Sequence, residues 1–175
     1  VAVMVEPIQG EGGVVVPNDN CLRDLRRLCD VKDALLIVDE VQSGIGRTGE
    51  WFAYQHEDIL PDVVTSAKAL GNGVPIGACL ARGIAATILS PGTHGSTFGG
   101  NPLACSAALA VLDVVSEENL LDRSRLLGKF FLTAFQKKLA SRDEVLEVRG
   151  KGLMVGIELD RPCGELVKSC SANGV

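Results

Sequence analysis

The stretch Val63-Val64-Thr65-Ser66-Ala67-Lys68-Ala69-Leu70-Gly71 ends an apolar strand on a single lysine, set between small residues and followed by the turn Gly71-Asn72-Gly73. A lysine there is costly unless it is used. Partial desolvation lowers an amine's pKa toward the neutral form that condenses with an aldehyde cofactor. The competing reading is a lysine that snorkels to solvent from a strand end. A second apolar run, Leu35-Leu36-Ile37-Val38, ends on the carboxylates Asp39 and Glu40, and ligands of open α/β sheets gather at the carboxyl ends of strands. Two chemistries fit these carboxylates: Asp39 could help hold magnesium in a nucleotide hydrolase, or pair with the pyridinium nitrogen of an organic cofactor. The bland alternative is a pair of surface carboxylates that closes a strand. The hydrolase needs G-x-x-x-x-G-K-[ST], which neither Gly128-Lys129 nor Gly150-Lys151 completes, but that motif would lie upstream of this stretch, so a nucleotide-binding hydrolase module stays the alternative.

Gly44-Ile45-Gly46-Arg47-Thr48-Gly49 matches G-x-G-x-x-G, but a dinucleotide fold wants an acidic residue at the end of the next strand, whereas Asp62 precedes the run Val63 to Ala67. The glycines are better read as permitting a close approach of backbone to a neighbour. His94-Gly95-Ser96-Thr97-Phe98-Gly99-Gly100 offers hydroxyls and accessible backbone N–H groups to a phosphate. A plain loop leading to a helix capped by Asn101, with Pro102 in its first turn, accounts for many of the same residues. His56 and His94 have no partner at metal-ligand spacing.

The elements that must position these groups read as α/β. Apolar runs near Val1 to Val5, Ala34 to Val38, Val63 to Ala67 and Gly77 to Ala81 resemble strands buried on both faces of a parallel sheet. Between the first two lies a helix with Asn18 as cap and Leu22, Leu25, Leu28 and Cys29 on one side. After Asn101, helical spacing takes over through Leu103, Ala107, Ala110, Val111 and Val114, and then through Leu127, Phe131 and Phe135. Two strands, Val145 to Val148 and Leu153 to Leu159, flank a turn at Arg149-Gly150-Lys151-Gly152, and a last helix follows Pro162. A domain boundary is placed near residue 118, dividing the chain into 1–118 and 119–175.

The chain has 175 residues, 46% hydrophobic and 22% charged, enough to bury a core and too apolar for disorder. With 22 acidic against 17 basic residues and no basic block, the charge of -5 offers no footprint for nucleic acid or an anionic membrane. Small molecules are the expected partners. Six cysteines without a C-x-x-C pair suggest reduced, mostly buried thiols and a cytosol-like compartment. The first residue is Val1, already inside an apolar run, so the sequence reads as a piece of a longer chain.

Glu6-Pro7-Ile8-Gln9-Gly10-Glu11-Gly12-Gly13, then Asp39 to Gly49, then Ser66 to Gly71, then His94 to Pro102 occur in the order seen in class III aminotransferases. The chain resembles that family nearly end to end while covering less than half of a full member. The resemblance implies part of the large domain of a fold-type-I pyridoxal-phosphate-dependent transferase, a mostly parallel sheet with helices on both faces, followed by the start of a smaller α+β domain. It implies that Lys68 holds pyridoxal 5'-phosphate and moves protons, and that Asp39 keeps the pyridine nitrogen protonated. Val41 matches the apolar residue on one ring face and Gln42 the side chain near the phenolic oxygen. Ser96 and Thr97 match residues that reach the cofactor phosphate of a neighbouring subunit, implying a homodimer with shared sites. Glu11 matches a pocket glutamate that pairs with a substrate-carboxylate arginine, and Glu6 a structural residue. The implied reaction moves the terminal amino group of N-acetylornithine or ornithine to 2-oxoglutarate, in arginine biosynthesis. A 4-aminobutyrate aminotransferase or a racemase on the same fold is the enzyme alternative. The family's phosphate-cupping turn, its ring-stacking aromatic residue and its carboxylate-binding arginine find no match in this chain, so the piece is not expected to be active alone.

Overall fold

A computed structural model describes residues 1–175. Its larger sheet has the order β1 (Ala2–Val5), β2 (Leu35–Asp39), β3 (Val63–Ser66), β4 (Ala78–Ala81), with β1, β2 and β3 parallel and β4 antiparallel to β3. The fourth apolar run therefore corrects the expectation of a doubly buried parallel strand. All of β4 is exposed, as the edge position allows.

The first crossover carries α1 (Cys21–Val31), whose Leu22 and Cys29 pack with Leu36, Val38 and Ile59 into the main core. Leu36 and Val38 alternate with less buried neighbours, the period-2 signature of a strand packed mainly on one face. Two details of α1 differ from the sequence reading. Its N-cap is Asn20, with left-handed backbone and no capping side-chain bond, rather than Asn18, and Leu28 is exposed. Asp62 ties helix to sheet by accepting from the Leu36 N–H at 2.8 Å and from Arg26 at 2.6 Å.

α2 (Pro102–Glu117) begins as expected, with Asn101 Oδ1 accepting from the Ala104 N–H at 3.0 Å and Pro102 at the first position. Its Ala108 packs with Ile45 and Leu70, so it buttresses the segment after β3. α3 (Leu120–Leu139) follows, separated from α2 by the left-handed Asn119. The second sheet is the antiparallel hairpin of β5 (Val145–Lys151) and β6 (Met154–Leu159), and α4 (Gly164–Ala172) closes the chain. Arg149, Gly150 and Lys151 belong to β5, so the turn is tighter than the sequence suggested. Gly150 accommodates the extension with φ 155°, and the chain reverses at Gly152 and Leu153.

The hairpin docks on the glycine loop that follows β2. A Cβ on Gly152 would lie 2.6 Å from the Arg47 carbonyl oxygen, and a Cβ on Gly128 of α3 would lie 2.2 Å from the Gly152 carbonyl oxygen. Leu153 N–H donates to the Arg47 carbonyl at 2.9 Å. The close backbone approach to the G-x-G-x-x-G loop is thus made by Gly152, while the loop's own Gly46 and Gly49 lie against the Leu121 and Arg125 side chains. All six cysteines are free, but only Cys29 is buried, which corrects the expectation of mostly buried thiols.

Candidate active site

Asp39 and Lys68 leave adjacent parallel strands at the same edge of the sheet, because Asp39 is in register with Thr65, three residues before Lys68. Asp39 Oδ1 accepts from the Val41 N–H at 2.9 Å and from the Thr65 hydroxyl at 3.1 Å. Both bonds fall on one oxygen, which fixes the carboxylate plane and leaves Oδ2 without a partner in the chain.

Lys68 opens a single turn of 3-10 helix, Lys68–Leu70, with φ 43°. A long side chain in the left-handed region costs roughly 1–3 kcal/mol, and such strain persists only where the surroundings over-determine it. Leu70, buried against Ile45 and Ala108, and the bonds from the Leu70 and Gly71 N–H groups back to Ala67 and Lys68 supply that constraint. The side chain itself is exposed in this chain. Small flanking residues therefore do not desolvate the amine, contrary to the expectation from the strand-end position.

A cleft of about 340 Å³ has Lys68, Val41, Gln42 and Gly10 among its lining residues, with Leu153 and Met154 of the hairpin on its other side. Glu11 reaches this cleft through Gln42, whose Nε2 donates to Glu11 Oε1 at 3.3 Å. Glu6 accepts the Gly10 N–H at 3.0 Å and so shapes the turn that carries Glu11, in keeping with a structural role. Ser96 and Thr97 lie in an exposed stretch before α2 and are not among the cleft's lining residues.

Glu40 differs from its bland reading. It is 1% exposed and turns inward, accepting from the Ser43 hydroxyl at 2.6 Å, the Ala53 N–H at 3.0 Å and the Tyr54 N–H at 2.8 Å. Burial pushes its pKa above the ordinary carboxylate range against the opposing pull of these three donors. Two cleft walls were not found from sequence: the hairpin residues Leu153 and Met154, and Arg47. No local signal marks a contact between segments a hundred residues apart.

Asp39 and Lys68 lie at the carboxyl ends of two parallel strands of an open α/β sheet, where ligands of such sheets gather. Residues 1–175 match the family model described as aminotransferase class-III, and the chain belongs to the class III aminotransferase family. It is 55% identical over 167 residues to the acetylornithine aminotransferase of Nitrosomonas europaea, a match covering 95% of this chain and 42% of the relative. Among solved structures, an ornithine aminotransferase from Toxoplasma gondii, described with partial occupancy of PLP at its active site, superposes with TM-score 0.88 at 46% identity, covering 91% of this chain and 38% of that one. The acetylornithine aminotransferase of Elizabethkingia anophelis gives TM-score 0.87 at 46% identity, covering 93% and 43%. The chain thus spans less than half the length of these relatives.

Proposed function

We propose that the protein containing this chain is a pyridoxal-phosphate-dependent aminotransferase that moves the terminal amino group of N-acetylornithine to 2-oxoglutarate. The observation that carries the reading is the strained Lys68 beside Asp39 at one sheet edge, in a chain of the class III family. N-acetylornithine is preferred over ornithine and 4-aminobutyrate because relatives more than half identical to the chain bear the name acetylornithine aminotransferase. Arginine biosynthesis is the corresponding setting.

The donor set fits the cofactor. Asp39 Oδ2, left free by the two bonds on Oδ1, would accept the pyridine N–H, and an ionised partner would keep that nitrogen charged. With pyridoxal phosphate bound, the Lys68 amine would be the group that holds the aldehyde and moves a proton at the substrate carbon. Val41 and Gln42 line the cleft, where Val41 would give the ring an apolar surface and Gln42 would donate to its phenolic oxygen. Glu11 sits where it can pair with a cation of the substrate pocket. The cofactor, when bound, supplies the electron sink. Ser96 and Thr97, exposed on their own chain, serve the phosphate of a second subunit in a homodimer. The same reading assigns 1–118 to the large domain and 119–175 to the small one.

Borohydride treatment of the full-length protein should fix a pyridoxyl group onto Lys68, located by peptide mass. Lys68→Ala should keep the fold and lose the fixed group together with turnover. Near-wild-type turnover in that variant refutes the assignment. A kcat/KM for ornithine or 4-aminobutyrate above that for N-acetylornithine would move the substrate and leave the chemistry.

A further inference from the structure

Arg149 in β5 reaches across the junction between the hairpin and the turn that carries Glu11. Its Nη2 donates to the Gly13 carbonyl at 2.8 Å and its Nε to the Val14 carbonyl at 3.1 Å. Its Nη1 is held from behind by Glu147 at 2.6 Å and by Glu158 of β6. The side chain is only 15% exposed. Four N–H donors of a rigid guanidinium are thus committed, two to each side of the junction, a fork that lysine cannot reproduce.

The backbone it grips is the strained part of the turn. Gly13 has φ 105° and Val14 φ 54°, the latter a left-handed conformation that a β-branched residue rarely adopts. Gly13 N–H and Val14 N–H both donate to the Gly10 carbonyl, and Gln9 and Val15 form an antiparallel bridge, so the loop closes directly on the residues around Glu11. β6 presses on the same spot: a Cβ on Gly156 would lie 3.1 Å from the Gly13 carbonyl oxygen. Gly10 and Val14 line the Lys68 cleft. Strain of this kind survives where neighbours over-determine it, and Arg149 with Gly156 does so here.

We infer that Arg149 is a positioning residue for substrate recognition: by holding the Gly13 and Val14 carbonyls it sets Glu11 against Gln42, so that placement of the C-terminal hairpin controls the substrate pocket. The inference rests on Glu11 belonging to that pocket, as proposed above. It differs from a general packing role because the grip is on two carbonyls of one strained turn.

The test uses the full-length holoenzyme with Arg149→Met, Arg149→Lys, Glu11→Gln and the double variant Arg149→Met/Glu11→Gln. Arg149→Met should raise KM for the amino substrates about tenfold with kcat changed far less, and Arg149→Lys should restore little of it. In the Glu11→Gln background the further effect of Arg149→Met on KM should shrink toward onefold, as coupled residues require. Amide exchange in the peptide spanning residues 9–15 should accelerate at least about tenfold in Arg149→Met, with α2 unchanged. Unchanged exchange in that peptide overturns the proposal, and so do KM effects that multiply independently. If Arg149→Met does not fold, Gly156→Ala, which pushes on the same turn from β6, must give the same exchange and KM pattern or the proposal fails. A Glu11→Gln variant with wild-type KM for both substrates would instead refute the pocket assignment of Glu11, while the exchange measurement still decides the role of Arg149.

Discussion

Removing the Glu40 carboxylate should damage the fold more than removing any group assigned to chemistry. Glu40→Ala leaves the Ala53 and Tyr54 N–H groups and the Ser43 hydroxyl facing a void from which water is excluded, since Glu40 and Ser43 are each 1% exposed. An orphaned buried donor costs about 1–3 kcal/mol. The Ser43 hydroxyl can rotate to another acceptor, so two to three such penalties, about 2–9 kcal/mol, bound the gross loss. Relief of burying a charge offsets part of it, because burial already raises the Glu40 pKa, and a net loss of about 2–5 kcal/mol is expected. Glu40→Gln should lose less, about 1–2 kcal/mol, since its one carbonyl oxygen can keep Ser43 and Ala53 while its amide faces only the Tyr54 N–H.

The pH dependence follows from the same burial. The folded pKa of Glu40 lies above the ordinary 4.5, so its contribution to stability is fully present below that value and declines as pH rises through the folded pKa. The advantage of wild type over Glu40→Ala should therefore narrow as pH rises above the ordinary carboxylate range. Urea unfolding of the full-length protein at each pH, read as midpoint shifts at constant m-value, measures both quantities. Two variants within about 0.5 kcal/mol of wild type would refute the buried-anchor reading. An advantage that widens with pH would mean that the three donors outweigh desolvation.

Asp39→Asn keeps an oxygen for Val41 and Thr65, so the fold and cofactor occupancy should hold, while removal of the proton from the substrate carbon slows about a hundredfold in single-turnover measurements. Equal losses of occupancy and rate would make Asp39 an anchor only. Gly128→Ala places a methyl 2.2 Å from the Gly152 carbonyl oxygen, backbone against backbone, and should cost about 1–3 kcal/mol with loosened hairpin docking. Unaltered thermal stability and amide exchange at residues 150–154 would show that α3 can yield there.

The strands and helices were legible because their signals are local. The apolar run of β2, helical spacing in α2 and the Asn101-Pro102 start are each written within a few residues, although the burial of β2 mainly on one face is not. The antiparallel β4 was not legible, since an apolar run of four residues says nothing of the direction of its partner, which is set here by the short return through Gly71 to Gly77. Asp39 and Lys68 could be singled out because each ends an apolar run, and the register of β2 on β3 brings them together. The apolar run by itself does not separate Glu40 from Asp39, which the family resemblance singled out. Alternation sends neighbours on a strand to opposite faces, but only the path of the chain back to Ala53 and Tyr54 decides which carboxylate is buried among their backbone donors.

That division of labour explains how the two carboxylates coexist. Glu40 consumes its lone pairs on Ser43, Ala53 and Tyr54 and thereby pins both ends of the glycine loop to the sheet edge. The same loop, through the Arg47 carbonyl, receives Leu153 and sets the hairpin that forms the far side of the Lys68 cleft. Arg149 then returns from that hairpin to the turn carrying Glu11. Glu40 and Arg149 therefore stand at opposite ends of one continuous set of contacts running from the sheet edge to the hairpin and back to the cleft. A loss at either end should be felt at the cleft as misplacement, while Asp39 and Lys68, whose own supports lie within β2, β3 and the turn after it, keep their geometry.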